Sequence, residues 1–231
     1  MNDVSDTPLG RLLVARKAAR TFASRYAGRT VLAIGAHPDD IELGVGATVA
    51  LLASSGARVV MAVCSIPTEY ETRRGEAQAA ADILGCELRV LMDGGSRRIE
   101  DVKTYQLVGM IDDLVREVQP SAMLTHGCTD FHGDHVLVHH ASVPSQRLHS
   151  FDFYCYLPTM VRPVPVPFQP RAYIDVSTTI EAKIGAIAAH KSQFSSRGIC
   201  YDYYREIAHL NGRMCGVEYA EGLDIGRIVF A

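Results

Sequence analysis

"TVLAIGAHPDDIELG", residues 30–44, runs an unbroken apolar stretch straight into one histidine and three carboxylates, His37, Asp39, Asp40 and Glu42. The apolar run shows no polar alternation. It therefore predicts a strand covered on both faces, and such strands belong to parallel sheets packed between helices. "GATVALLASSG" (46–56) next predicts a helix and "RVVMAVCS" (58–65) a second strand. The pattern then repeats. "TRRGEAQAAADILG" (72–85) predicts a helix ended by Gly85, and "ELRVLMD" (87–93) a third strand. "KTYQLVGMIDDLVREVQP" (103–120) predicts a helix stopped at Pro120, followed by the strand "SAMLTHG" (121–127) and a helix opening near Asp134. This alternation predicts an α/β fold, a Rossmann-like, doubly wound, mostly parallel sheet with right-handed crossovers and helices on both faces.

Working outward, Leu12, Ala15, Ala19, Phe22 and Tyr26 recur at steps of three and four, which predicts an amphipathic helix over 11–27 with Gly28 as its stop. Beyond residue 150, "FDFYCYL" reads as an added strand, and "PTMVRPVPVPFQPR" holds five of the ten prolines. "AYIDVS" (172–177) reads as a last strand and 178–193 as a helix capped at Ser177 or Thr178. No repeat or linker divides the chain. One domain over 1–231 is expected, with an N-terminal helical segment (1–28) and an irregular proline-rich insertion (150–175). A loop of that length is expected to wall a pocket or pack against a neighbouring subunit of a homo-oligomer.

Composition narrows the function classes. Of 231 residues, 48% are apolar and 21% charged, with a net charge of −3, so no bulk nucleic-acid partner is expected. No apolar stretch reaches the ~18–20 residues of a membrane span, and the N-terminus has no apolar signal region. The six cysteines are scattered without CxxC spacing, which predicts reduced thiols and a cytoplasmic protein. "GVGAT" lacks the glycines and lysine of a nucleotide loop.

The histidines carry more information, because five of nine fall between 126 and 140. Ligands of open α/β sheets collect outside the carboxyl ends of the strands, where the strand order switches. "AHPDDIELG" follows the first strand and "THGCTDFHGDHVLVHH" (125–140) the fourth, so the two polar clusters are expected to face each other across one crevice. Such a crevice suits a metal. His37 and Asp40 lie three apart across a turn stiffened by Pro38, and a third ligand from "HGDH" would complete a two-histidine, one-carboxylate set with an open position. That set serves catalytic zinc and also Fe(II).

"AHPDD" after an apolar strand, with "DFHGDH" after the fourth, resembles the zinc-dependent PIG-L/LmbE-like N-deacetylases. "RRGEAQAAADILG", "EAKIGAIAAHKSQ" (181–193) and "EYAEGL" (218–223) extend the likeness over residues 30–223. The resemblance implies zinc held by His37, Asp40 and His135, with Asp39 as general base. It implies His132 as the oxyanion-stabilising histidine, oriented by Asp134. Arg73, Glu76 and Asp130 are expected near the substrate, with a role supporting the ligands as the alternative for Asp130. Ile41 between the second aspartate and Glu42, and Gly133 in place of a common proline, depart from the usual pattern without removing a ligand. The implied substrate is a small N-acetylated sugar conjugate. Rival readings are an amidase for a larger acyl conjugate, a non-haem Fe(II) enzyme and a non-catalytic metal module.

Some of these residues also have plainer readings. Asp39 and Asp40 could cap the following helix. Arg73 and Glu76 could form a helix-surface ion pair. His139 and His140 read as helix-surface or supporting residues, although His135 and His139 have ligand spacing. His126 is expected to close its strand rather than bind anything.

Overall fold

Alternate residues of each central strand feed two separate cores, and that alternation makes the sheet doubly wound. In β1 (Thr30–Gly35), Val31 and Ala33 face one layer while Leu32 and Ile34 face the other. The computed structural model describes residues 21–157, 168–198 and 200–230. Within them the order is α1 (Phe22–Tyr26), β1, α2 (Asp40–Ser54), β2 (Arg58–Val63), α3 (Tyr70–Leu84), β3 (Glu87–Val90), α4 (Thr104–Val118), β4 (Ala122–His126) and α5 (Gly133–Ser142). Then follow β5 (Asp152–Tyr156), β6 (Ala172–Asp175), α6 (Ile180–Ala189), α7 (Asp202–Cys215) and β7 (Ala220–Arg227).

The seven strands stand in the order β3-β2-β1-β4-β5-β7-β6. β1 pairs in parallel with both β2 and β4, so the order switches beside β1, as expected. Val49 and Leu52 of α2, Ala80 and Leu84 of α3, and Ala186 of α6 cover one face. Leu107, Ile111 and Val115 of α4 with Val138 and Ala141 of α5 cover the other. The single α/β domain and its mostly parallel sheet agree with the expected fold class.

The C-terminal third departs from the expectation. The strand at 172–175 is not the last. β7 follows α7 and inserts antiparallel between β5 and β6, pairing Tyr154 with Ile225 and Ile174 with Glu221. The helix expected over 178–193 spans Ile180–Ala189 with Thr179 at its N-cap position. Most of the N-terminal helix (11–27) lies outside the described residues, and its described part is helical at Phe22–Tyr26. The segment 158–167 of the proline-rich stretch also lies outside them. No helix among the described residues is long and apolar enough to cross a membrane.

Candidate active site

Asp39 occupies the N-cap position of α2, yet its side chain makes no capping hydrogen bond. Its φ of 93° is left-handed, a conformation that costs a non-glycine residue about 1–3 kcal/mol. The capping reading therefore leaves the carboxylate unexplained. The turn is closed instead by Asp40, whose Oδ2 accepts the His37 N–H at 2.7 Å. These residues line a cavity of about 440 Å³ together with His132, Asp134 and His135 from the start of α5. Arg73 and Gln193 also line it, and Arg98 and Glu100 stand at its edge.

The histidines are held by carboxylates. His135 Nδ1 lies 2.7 Å from Asp130 Oδ2, which leaves its Nε2 facing Asp40 Oδ1 at 3.2 Å. His37 Nε2 lies 3.0 Å from Asp134 Oδ2, and its Nδ1 is 3.8 Å from Asp40 Oδ2. If each ring donates to its outer carboxylate, both imidazoles turn a lone pair toward the Asp40 carboxylate, an arrangement that suits a cation beside it. Burial alone would lower His135, but Asp40 and Asp130 push it up to about 10, because a proton supplies that positive charge. The donor set thus fits a divalent metal, with Asp130 and Asp134 in the outer positions that orient metal-binding histidines.

Among the described residues, two overlapping donor triads lie within 4.8 Å, His37 with His132 and His135, and Asp40 with His126 and His135, so the expected ligands His37, Asp40 and His135 are divided between them. His126 Nε2 already accepts the Ala36 N–H at 2.8 Å, tying the end of β4 to the end of β1. Its lone pair is thereby used, in keeping with a strand-closing histidine. His139 likewise turns away, its Nδ1 on the His126 carbonyl at 2.8 Å.

The two adjacent aspartates are driven apart electrostatically. Desolvation, with the Asp40 charge, pushes Asp39 up to about 7. Asp40 is desolvated too, but the charge of His135 and its hydrogen bond hold it well below the carboxylate range. Arg73 donates to the Pro38 carbonyl at 3.2 Å and stands 3.8 Å from Asp39 Oδ2, so it is no surface ion pair with Glu76.

Three expectations are corrected. Asp130 does not line the cavity; it backs His135 Nδ1 at 2.7 Å and accepts the His132 N–H at 3.0 Å. The Asp134 carboxylate sits on His37 rather than on His132, and only its backbone N–H reaches His132, at Nδ1, 3.2 Å away. With Nδ1 accepting, a neutral His132 carries its proton on Nε2. Burial and the neighbouring His135 and His37 lower its pKa accordingly. Glu76 does not line the cavity. Its carboxylate accepts the Ser192 N–H and hydroxyl at 2.7 and 2.6 Å, fixing the turn after α6 that brings Gln193 into the wall. Gln193 and the fully buried His190, paired with Glu42 at 2.7 Å, were not singled out as site residues, and only the likeness over 181–193 marked those two.

The profile of the PIG-L family, GlcNAc-PI de-N-acetylase, matches residues 32–144. YaiS of Escherichia coli K12, described as an uncharacterized deacetylase, is 35% identical over 126 residues, covering 51% of this chain and 68% of YaiS. The chain belongs to the PIG-L family. The diacetylchitobiose deacetylase of Thermococcus kodakarensis is 27% identical over 84% of this PIG-L chain and 82% of its own length. Among solved structures, GalB, the 4-carboxy-2-hydroxymuconate hydratase of Pseudomonas putida KT2440, superposes with a TM-score of 0.69. It is 22% identical over 88% of this chain and 98% of GalB, a likeness of fold. The fold therefore houses more than one chemistry, and the reaction must be argued from the site.

Proposed function

We propose that this PIG-L protein is a metal-dependent hydrolase that removes the acetyl group from an N-acetylated amino sugar, releasing acetate and a free amine. His37, Asp40 and His135 hold the metal, which we take to be zinc. When bound, zinc polarises the amide carbonyl and lowers the pKa of water. Asp39 takes the proton from the attacking water and returns it to the departing nitrogen, a role suited to a carboxyl whose pKa lies near neutrality. His132 donates from Nε2 to the developing oxyanion. Arg73 holds the Asp39 turn through Pro38, and Asp130 and Asp134 orient the two histidines.

One observation carries this reading: two sequence-adjacent carboxylates line one cavity, Asp40 set 3.2 Å from His135 and Asp39 held in a left-handed turn with no capping bond. A merely metal-binding module has no use for the second. The sugar substrate is drawn from the relatives, whose named activities are deacetylations. The test is acetate and free-amine release from diacetylchitobiose and a panel of N-acetylglucosamine conjugates, before and after chelation and zinc replacement. Release that is lost on chelation and restored by zinc supports the proposal. A zinc-loaded protein that frees no acetate across the panel overturns it, and release of a longer acyl group would redefine it as an amidase.

A further inference from the structure

Helix α2 is broken at Val45 (φ −140°, ψ 20°), five residues after it begins. At the break, four backbone groups find partners outside the helix, one of them the Ala47 carbonyl, which accepts from Thr179 Oγ1 at 2.8 Å. The Leu43 carbonyl accepts from Lys183 Nζ at 2.8 Å, and the Ala47 and Thr48 N–H groups donate to Glu221 Oε1 and Oε2 at 3.2 and 2.7 Å. Lys183 Nζ and Glu221 Oε1 are themselves 2.5 Å apart, and both side chains are no more than 3% exposed. Glu221 thus sits at the amino end of the second helical segment, where a negative charge is favoured, and Lys183 at the carboxyl end of the first. The Lys183 stem lies across Gly46, where an added Cβ would come within 3.3 Å of Cγ.

A buried ion pair is a poor source of net stability, since desolvating both charges offsets most of their attraction. What this pair does is take up backbone groups that an unbroken helix would satisfy internally. The short segment before the break, Asp40–Gly44, carries Asp40 at its first position and is preceded by Asp39 in its left-handed conformation.

We infer that Lys183 and Glu221 are positioning residues: they hold α2 broken at Val45 and so aim the Asp39–Asp40 turn into the cavity. The inference rests on the roles given above to Asp39 and Asp40. Lys183 comes from α6 and Glu221 from β7, so the C-terminal third of the chain sets the geometry of a turn near its start.

The double variant Lys183→Met/Glu221→Leu removes the pair without stranding a buried charge. Its metal-free Tm should stay near that of the parent protein. Zn²⁺ affinity, read by competition with a chromogenic chelator, should fall about ten-fold or more, as when groups that orient metal ligands are removed. The visible spectrum of the Co²⁺ form should change as well. Lys183→Met/Glu221→Gln should recover part of both, because the amide oxygen can still accept the Thr48 N–H. A folded Met/Leu variant with parental Zn²⁺ affinity and Co²⁺ spectrum overturns the inference. If that variant fails to fold, Gly46→Ala presses on the Lys183 stem with every polar bond left in place, and unchanged Zn²⁺ affinity there overturns it equally. Asp40→Ala is run in parallel. Should the parent bind no Zn²⁺, or Asp40→Ala bind it as tightly as the parent, the metal reading fails and this inference with it. Zn²⁺ lost from Asp40→Ala but retained by the pair variants defeats the positioning claim alone.

Discussion

Burial raises a carboxyl's proton affinity, and a second carboxylate beside it raises it again; Asp39 feels both, while Asp40 spends its charge on histidines. Asp39→Asn should therefore keep the metal and the fold but lose about 10²–10⁴-fold in kcat, whereas Asp40→Ala should weaken Zn²⁺ binding itself. Elemental analysis beside kcat separates the two, and equal metal loss in both variants would end the division of labour. His135 adds a pH signature. Its folded, metal-free pKa is pushed up to about 10, above the ~6.5 of an unfolded histidine. The stability it contributes to the metal-free protein is thus fully present below about pH 6.5 and lost as pH rises toward 10. Zn²⁺ must displace that proton, so its affinity should climb with pH over the same window, by up to about ten-fold per unit. Chelator competition at several pH values checks this, and a flat profile would remove His135 from the ligand set.

At the scale of elements, the largest revision concerns α2. The helix predicted over 46–56 starts instead at Asp40 and carries an irregularity inside, at Val45. Local propensity misplaced the start of the helix, because distant side chains satisfy the backbone at the break. α7 and β7 are the other case. Gly212 of α7 approaches the chain just before β7 so closely that a Cβ would lie 2.5 Å from the Glu218 carbonyl oxygen. Backbone cannot yield as a side-chain tip can. Gly212→Ala should accordingly cost about 1–3 kcal/mol, the range for overpacking a tight contact. Denaturant unfolding measures it, and an unchanged midpoint would mean that α7 shifts freely on β7.

Across the described residues, the cavity and the anchor of α1 and of the segment after β7 occupy opposite ends of the sheet. Asp152, at the start of β5, accepts from Arg25 Nε (2.7 Å), Tyr26 OH (2.6 Å) and Val229 N–H (2.7 Å), so one carboxylate ties α1 and the C-terminal segment to the central sheet. Burial opposes its ionisation, but these hydrogen bonds outweigh that and hold its pKa below the usual range. A depressed folded pKa contributes stability above the unfolded value near ~3.9, lost as pH falls below it. Asp152→Asn should lower stability at neutral pH by about 1.5–3 kcal/mol, as for hydrogen bonds to a charged group. Its Zn²⁺ content should not change. Loss of Zn²⁺ from this variant would show that the two ends of the sheet are coupled.

Strands β1 to β4 were legible because each is an apolar run between turn residues, and their alternation with helices dictated a parallel sheet whose order switches beside β1. That order alone brings "HPDD" and "HGDH" to one crevice, so the location of the site and most of its residues could be read from the chain. The insertion of β7 between β5 and β6 could not, since strand pairing across some 70 residues leaves no local period. Nor could the partners of the polar groups. Which carboxylate Asp134 and Asp130 each offer to which histidine, why Glu76 serves Ser192 rather than the cavity, and how Lys183 and Glu221 meet at a broken helix were settled only by packing. Periodicity places a side chain on a face several ångströms wide, whereas a hydrogen bond is made or missed within about 3 Å. Only the tertiary structure resolves that distance.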